Sequence, residues 1–187
     1  MNKPLLLIVT GRPGSGKSTL AKKLGAAAHL PVISRDEIKE GYVHTAGLPH
    51  EELPDGNLIA TNRFFSTIEG LLKAGVSLIA EAAFQHKLWS ARLTPLMESA
   101  RIAIIICLPG DDKTAYERYL ARREKEPLRA YFHGDIGEAQ QEPPVYDPPQ
   151  LDVQTIRVDT TDGYAPDIDE IIGRMLKKTC ASSEKPI

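Results

Sequence analysis

Eight residues near the N-terminus have the types and spacing of a phosphate-binding loop. They read Gly11-Arg12-Pro13-Gly14-Ser15-Gly16-Lys17-Ser18 and fit the pattern G-x-x-x-x-G-K-[ST]. In such a loop the backbone N–H groups surround a phosphate, and the following helix presents its positive N-terminus to the same anion. Lys17 would then bridge the β- and γ-phosphates of a nucleotide, and the Ser18 hydroxyl would hold Mg²⁺. A Gly-rich turn with a surface lysine is the plainer alternative.

Two carboxylates follow predicted strands on the same side of a sheet. Asp36 comes just after the second strand, where ligands bind in open α/β folds. Phosphoryl transfer needs a carboxylate to take the proton of the acceptor, and Asp36 is our candidate for that base. The structural alternative is an S-x-x-E capping box formed by Ser34 and Glu37, with Asp36 merely suiting the positive end of the helix.

Glu81 ends the third predicted strand, beside the strand that leads into the phosphate-binding loop. It is a candidate for a Mg²⁺ contact, together with Ser18, or for a contact to the acceptor. The alternative is a solvated loop acid. The pattern leaves open whether Asp36 or Glu81 is the base.

Short apolar runs alternate with segments of helical period along most of the chain. This alternation predicts βα units, a parallel sheet and one three-layer α/β domain over residues 1–180, followed by a frayed tail at 181–187. The predicted strands are 5–10, 31–34, 76–80, 102–108 and 155–158. The predicted helices are 17–28, 36 to about 42, one begun by Asn57 as N-cap and ended by Gly75, 88–100, 112 to about 126 and 165–178. In the third helix the predicted inward face is Leu58, Phe65, Ile68 and Leu72, and 44–56 is a predicted loop.

The composition is that of an ordinary folded domain. The 187 residues are 42% hydrophobic and 26% charged, and the net charge of −2 argues against a protein that coats nucleic acid or an anionic membrane. Cys107 and Cys180 have no metal-ligand or disulfide spacing. The apolar run at 5–9 is too short to span a bilayer, so we expect a cytoplasmic protein without a membrane anchor.

Other features narrow the class of nucleotide-binding protein. No Asn-Lys-x-Asp element follows a later strand, which disfavours a GTPase. The third strand ends in Ala80-Glu81-Ala82, without the Asp-Glu pair of a hydrolytic ATPase. About thirty residues follow the fifth strand, too few for the helical lid domain of an AAA module.

These motifs together resemble the small P-loop kinases, and above all the AAA_33-type ATP-binding kinases. That family is grouped with polynucleotide 5′-kinase, chloramphenicol phosphotransferase and zeta-toxin-like enzymes. The resemblance implies strand order 2-3-1-4-5, a P-loop NTPase fold with a short lid at about 112–135, ATP with Mg²⁺, and transfer of the γ-phosphoryl group to a hydroxyl. It rests on residues 11–18, Ser34-Arg35-Asp36, Glu81, the arginines at 118–123 and Val158-Asp159-Thr160-Thr161.

The resemblance also implies further site residues. Arg118 and Arg122, one helical turn apart, would belong to the lid, with Arg122 on the transferring phosphate and Arg118 on the nucleotide. The alternative is a solvated helix with Lys113–Glu117 and Arg122–Glu126 ion pairs. Thr19 and Thr160 would contact the nucleotide. Lys39 stands where relatives often carry the arginine that grips the substrate. His44, His50, Arg63 and His133 are candidates for the acceptor pocket.

The sequence therefore predicts an ATP- and Mg²⁺-dependent kinase that acts on the hydroxyl of a small molecule. The acceptor could be a sugar, a nucleoside, an antibiotic or a polynucleotide 5′ end, of which the last is disfavoured because the chain shows no long basic groove. The rival function is an ATP-binding regulatory or toxin-related module in which ATP is a switch rather than a donor. Oligomeric state is not readable from the sequence.

Overall fold

Strands and helices alternate along the chain, as the sequence predicts. The structure is a computed structural model that describes residues 3–126, 128–134 and 146–176, apart from the side chains of residues 112 and 176. The strands are β1 (Leu5–Thr10), β2 (Val32–Ser34), β3 (Leu78–Glu81), β4 (Arg101–Leu108) and β5 (Gln154–Asp159). The helices are α1 (Lys17–Ala28), α2 (Arg35–Ala46), α3 (Gly56–Lys73), α4 (His86–Leu93), α5 (Asp112–Lys125), α6 (Arg129–His133) and α7 (Ile168–Leu176). The predicted tail at 181–187 lies outside the described residues.

The five strands form one parallel sheet in the order β2-β3-β1-β4-β5, which confirms the predicted fold. In register, Glu81 of β3 lies beside Val9 on one neighbouring strand and beside Ser34 on the other. The carboxyl ends of β1, β2 and β3 therefore meet at one edge of the sheet. The segments that follow these three strands carry the predicted site.

The core has one layer of helices on each face of the sheet. Every residue of β1 is buried, because helices cover this strand on both sides. Phe64, Phe65 and Ile68 of α3 pack in the cluster on one face, together with Trp89 of α4. Side chains of α1 and α7 form the cluster on the other face. No helix among the described residues is long and apolar enough to cross a membrane.

Two predicted boundaries near the site are wrong. The second helix runs over Arg35–Ala46, four residues beyond the predicted end, and stops at Gly47 in the left-handed region (φ 69°). The predicted loop at 44–56 therefore contains the end of α2 and also a short 3₁₀ helix, His50–Glu52. The 3₁₀ helix contacts α6, so part of the predicted loop is ordered against the site.

The third and fourth helices also differ from their predictions. Asp55 rather than Asn57 is the N-cap of α3, and Leu58 is 54% exposed instead of facing inward. The helix predicted at 88–100 is α4, which ends at Leu93, followed by a 3₁₀ helix over Thr94–Glu98. Pro95 lacks the N–H that an α-helical hydrogen bond would need there, so the chain tightens into a 3₁₀ turn.

Candidate active site

The phosphate-binding loop joins β1 to α1 and has the backbone conformation that its glycines allow. Gly14 and Gly16 both adopt positive φ, at 79° and 78°. A Cβ atom at position 14 would lie 1.9 Å from the carbonyl oxygen of Ala115 in α5, so the helix packs directly on the loop. Both the φ angle and this close approach require glycine at position 14. The plainer alternative of an ordinary exposed turn does not describe this loop.

The inside of the loop offers polar groups that suit a bound anion. Ser15 is fully buried, and its Oγ atom has no hydrogen-bond partner within the described part of the chain. The hydroxyl of Thr160, which follows β5, donates to the Ser15 carbonyl oxygen at 2.8 Å. This bond ties the loop to the segment that follows β5. A buried hydroxyl without a partner is uncommon in folded proteins, and a phosphate oxygen in the loop would supply one.

Glu81 is the most connected acidic group of the site. It is 3% exposed, and its carboxylate accepts hydrogen bonds from Ser18 Oγ at 3.1 Å and from Ser34 Oγ at 2.8 Å. The Nζ atom of Lys17 lies 3.8 Å from Glu81 Oε1. The alternative of a solvated loop acid is therefore wrong. The capping box is wrong too, because the Ser34 hydroxyl bonds to Glu81 and makes no cap bond to α2.

The Ser18 hydroxyl and the Glu81 carboxylate fit a magnesium ion by their chemistry. Both are oxygen donors, which Mg²⁺ prefers, and they lie in hydrogen-bond contact beside the phosphate-binding loop. Mg²⁺ in nucleotide sites is held by one or two protein groups together with phosphate oxygens and waters. A pair of donors is therefore enough for this kind of site.

A cavity of about 490 Å³ opens between the loop, α2, α5 and α6. Asp36 lies in its wall together with Lys17, Ser18 and Thr19. The other lining residues are Pro13, Gly14, Gly16, Arg35, Lys39, Asn57, Ala82, Ala83, Trp89, Arg118, Tyr119, Arg122, Arg129 and His133. The structure thus brings the predicted base and the predicted phosphate-binding residues into one cavity.

The charges around Asp36 keep its carboxyl group ionised. Burial alone would raise the pKa of Asp36, but the positive charges of His133, Lys17, Arg35 and Arg129 outweigh it and hold the pKa below its ordinary value. The side chain is 44% exposed, and its Oδ1 atom lies 3.5 Å from Arg35 Nη1. Asp36 is thus a carboxylate at neutral pH, open to the cavity and able to accept a proton.

The two predicted lid arginines line the cavity but have different partners. Arg118 of α5 donates to the carbonyl oxygens of Thr160 and Thr161, at 3.0 and 2.7 Å. It therefore ties α5 to the segment after β5. Arg122 forms the ion pair with Glu126 that the sequence allowed as an alternative, at 3.2 Å, and remains 48% exposed. Arg122 thus lines the cavity and pairs with Glu126 at the same time.

The four candidates for the acceptor pocket lie in different places. His133 lines the main cavity, and its Nε2 atom lies 2.8 Å from Glu40 Oε1. His50 lines an adjoining cavity of about 410 Å³, to which His133 also contributes. Arg63 stacks on the Tyr42 ring in a groove between α2 and α3, and His44 is exposed on α2.

The sequence prediction missed several residues of the cavity wall. It gave no role to Arg35, although the four-residue spacing of Arg35 and the predicted Lys39, beside Asp36 on α2, would have placed both on one helix face. It also missed Arg129, which has the same four-residue spacing to the predicted His133 on α6. No local pattern could have predicted that Trp89 lines the cavity, because its spacing on α4 is that of a core residue.

Comparison with known families places the chain in one of them. The family model AAA_33, described as an AAA domain, matches residues 6–142 of the chain. The chain belongs to this family. The matched residues contain the phosphate-binding loop, both acidic candidates and the α5 arginines. No curated protein matches the sequence.

Solved structures of kinases share the fold of this AAA_33 protein. A protein from Chloroflexus aurantiacus, provisionally named a kinase, is 26% identical with a TM-score of 0.78, covering 92% of this chain and 97% of that one. A sugar kinase from Janibacter is 16% identical over 94% of both chains, with a TM-score of 0.58. A gluconokinase from Sinorhizobium meliloti is 18% identical over 95% of both, with a TM-score of 0.53. The family and these neighbours support a small P-loop kinase type.

Proposed function

We propose that this protein is a Mg²⁺-dependent kinase that transfers the γ-phosphoryl group of ATP to a hydroxyl group of a small molecule. The observation that carries the proposal is the placement of an ionised Asp36 in the same cavity as Lys17 and Ser18. A P-loop protein that only binds nucleotide has no need of a second carboxylate open to the space beyond the phosphates.

The phosphate-binding loop and its neighbours hold the donor. The backbone N–H groups of the loop and the N-terminus of α1 face the phosphates, and Lys17 binds the β- and γ-phosphate oxygens. Ser18 and Glu81 would hold the Mg²⁺ ion, which neutralises phosphate charge when it is bound. Glu81 also accepts from the Ser18 hydroxyl and faces Lys17, so that both side chains are positioned before the nucleotide arrives.

Asp36 acts on the acceptor. It accepts a hydrogen bond from the acceptor hydroxyl and takes the proton as the hydroxyl oxygen attacks the γ-phosphorus atom. One P–O bond forms to the acceptor, and the bond between the γ-phosphorus and the β–γ bridging oxygen breaks. The electron pair of that bond remains on ADP. Arg122, in the same cavity, stabilises the charge on the phosphoryl group during transfer.

A screen for transfer from radiolabelled ATP tests the proposal. Purified protein with Mg²⁺ is incubated with a library of sugars, sugar acids, sugar phosphates, nucleosides and aminoglycosides, and with a 5′-hydroxyl oligonucleotide. We expect label on at least one small hydroxyl compound. The Lys17→Ala variant is the blank, and Lys73→Ala, which removes an exposed lysine of α3, is the matched control that retains transfer.

Three outcomes would contradict the proposal. Label that also appears with Lys17→Ala would come from a contaminating kinase. Label on the oligonucleotide alone would make the protein a polynucleotide kinase. Binding of ATP and Mg²⁺ with no transfer to any compound would favour the rival function, in which ATP acts as a switch.

A further inference from the structure

The cavity wall around Asp36 carries more positive charge than the nucleotide site requires. Arg35 and Lys39 contribute from α2, and Arg129 contributes from α6. Asp36 is the one acidic side chain in the described lining of this cavity. Positive charges gathered at one place repel each other, so such a cluster is costly unless a negative ligand joins it.

Lys39 is the clearest sign of a missing negative partner. It is only 2% exposed, and within the described part of the chain its ammonium group makes no hydrogen bond or ion pair. Burial, helped by the charges of Arg35 and Arg129, lowers its pKa to about 8, although Asp36 and Glu40 act in the opposite direction. A buried ammonium group usually has a partner, because leaving water is expensive for a charge.

The two arginines of the cluster also have unused donors. The Nε atoms of Arg35 and Arg129 are buried and have no hydrogen-bond partner among the residues that the structure describes. The rest of each side chain is held in place, since Arg35 donates to Asn57 at 3.0 Å and Arg129 lies 3.5 Å from Glu126. Two guanidinium groups fixed in this way, with donors still available, suit the binding of a carboxylate or phosphate.

The remaining cations of the cavity are already engaged. Lys17 faces Glu81, Arg118 binds two carbonyl oxygens after β5, and Arg122 pairs with Glu126. The Lys39 ammonium group and the Nε donors of Arg35 and Arg129, which have no partner among the described residues, therefore lie beside Asp36, on the elements that would face the acceptor.

We propose that the acceptor carries an anionic group, a carboxylate or a phosphate, in addition to the hydroxyl that is phosphorylated. Lys39, Arg35 and Arg129 bind this group and thereby hold the hydroxyl at Asp36. The inference rests on the proposed kinase function and adds the class of acceptor. It also gives Lys39 a role in specificity, because a neutral acceptor would leave its charge buried and unpaired.

Matched pairs of acceptors test the inference. Gluconate is compared with glucitol, and ribose 5-phosphate with ribose, so that each pair differs mainly in the anionic group and the two pairs separate carboxylate from phosphate. With Mg²⁺ and saturating ATP, we expect kcat/KM to be at least tenfold higher for the anionic member of one pair, since a charge-assisted contact contributes about that much.

Variants of Lys39 connect this preference to the cluster. We expect Lys39→Met to reduce the anionic-to-neutral ratio of kcat/KM about tenfold, mainly through the KM for the anion, and Lys39→Arg to restore most of it. Lys73→Met removes a lysine that is exposed on α3 and should leave the ratio unchanged. A change in the KM for ATP instead of the KM for the acceptor would assign Lys39 to the nucleotide and overturn the inference.

Two further outcomes separate this inference from the kinase function itself. Transfer to neutral acceptors at an equal or higher kcat/KM would keep the function and overturn the inference. If no acceptor is phosphorylated, calorimetric titration of the protein saturated with Mg²⁺ and a non-hydrolysable ATP analogue decides. Gluconate or ribose 5-phosphate that binds the wild type but not Lys39→Met would support the anion site, whereas equal affinity for both, or no binding to either, would overturn it.

Discussion

The two sides of the cavity differ in how far their charges are matched within the protein. On the nucleotide side, Lys17, Ser18 and Ser34 all contact the buried Glu81 carboxylate, and Arg118 is held by two backbone carbonyl oxygens. On the acceptor side, Lys39 is buried without a hydrogen bond or ion pair to the described residues, and two guanidinium groups have unused donors there.

This difference corresponds to two kinds of ligand binding. The nucleotide side is organised before the ligand arrives, so that little rearrangement is needed when the triphosphate and the metal bind. The acceptor side keeps an uncompensated charge that a particular ligand can neutralise. Binding is then selective, because a ligand without the matching charge gains little there.

The largest effect is expected from the carboxylate between the two sides. Asp36→Asn should lower kcat about 1,000-fold, because an amide cannot take the acceptor proton. The KM for ATP should not rise, since the change removes a negative charge from a cavity that binds an anion. Steady-state kinetics with the acceptor found in the screen measure both constants.

Asp169→Asn, an exposed change in the first turn of α7, is the matched control and should leave kcat unchanged. An Asp36→Asn protein with nearly wild-type kcat would make Glu81 the candidate for the base.

A smaller loss is expected on the nucleotide side. Glu81→Gln removes the negative charge that faces Lys17. The neutral side chain at position 81 also holds Ser18 and the metal less well. We expect the Mg²⁺ concentration for half-maximal activity to rise about 100-fold, as for other changes to groups that support a metal. Activity measured over a range of Mg²⁺ concentrations gives this value.

Glu69→Gln, on the exposed surface of α3, is the control for loss of a glutamate charge and should leave the Mg²⁺ requirement unchanged. If Glu81→Gln has an unaltered Mg²⁺ requirement, Glu81 does not bind the metal. Its role is then to hold Ser18 and Ser34 in place by hydrogen bonds.

The smallest expected effect concerns the stability of the fold. Unlike the two losses of activity above, it is a gain. Lys39→Met should raise the free energy of unfolding by about 2 kcal/mol at pH 7, because it replaces a buried charge that has no partner among the described residues with an apolar side chain. The unfolded chain keeps the Lys39 proton up to the ordinary pKa of 10.5, whereas the folded chain releases it near pH 8. The wild type therefore gains stability between these pH values, and its deficit against the variant shrinks there.

Urea denaturation at pH 7 and at pH 10 measures both quantities. Lys73→Met, which loses an exposed ammonium group, should show neither the stabilisation nor the pH dependence. A Lys39→Met protein that is less stable than the wild type at pH 7 would mean that the Lys39 ammonium has a favourable partner inside the folded protein.

Much of the nucleotide side could be predicted because its chemistry is local in the chain. The loop from Gly11 to Ser18 is contiguous, and its positive φ angles follow from glycine. The apolar runs predicted the strands, and the resemblance to P-loop kinases implied their order. The boundaries that were wrong depend on capping and on Pro95, which act at the level of single residues.

The acceptor side was harder to predict because its elements are distant in sequence. Arg129 and His133 lie more than ninety positions after Asp36, and no periodicity shows that α6 packs against α2. The role of Glu81 also required the structure, since a carboxylate after a strand is equally compatible with solvent.

The order of residue types along the chain thus already implies a P-loop fold and a phosphate site, because both arise from contiguous segments with fixed backbone requirements. Burial and pairing of charge follow only from the folded chain. Parallel strands bring Ser34, Glu81 and the loop to one edge of the sheet, and the packing of α6 on α2 leaves Lys39 buried. Whether a charged side chain is solvated, paired or held ready for a ligand depends on what surrounds it in space.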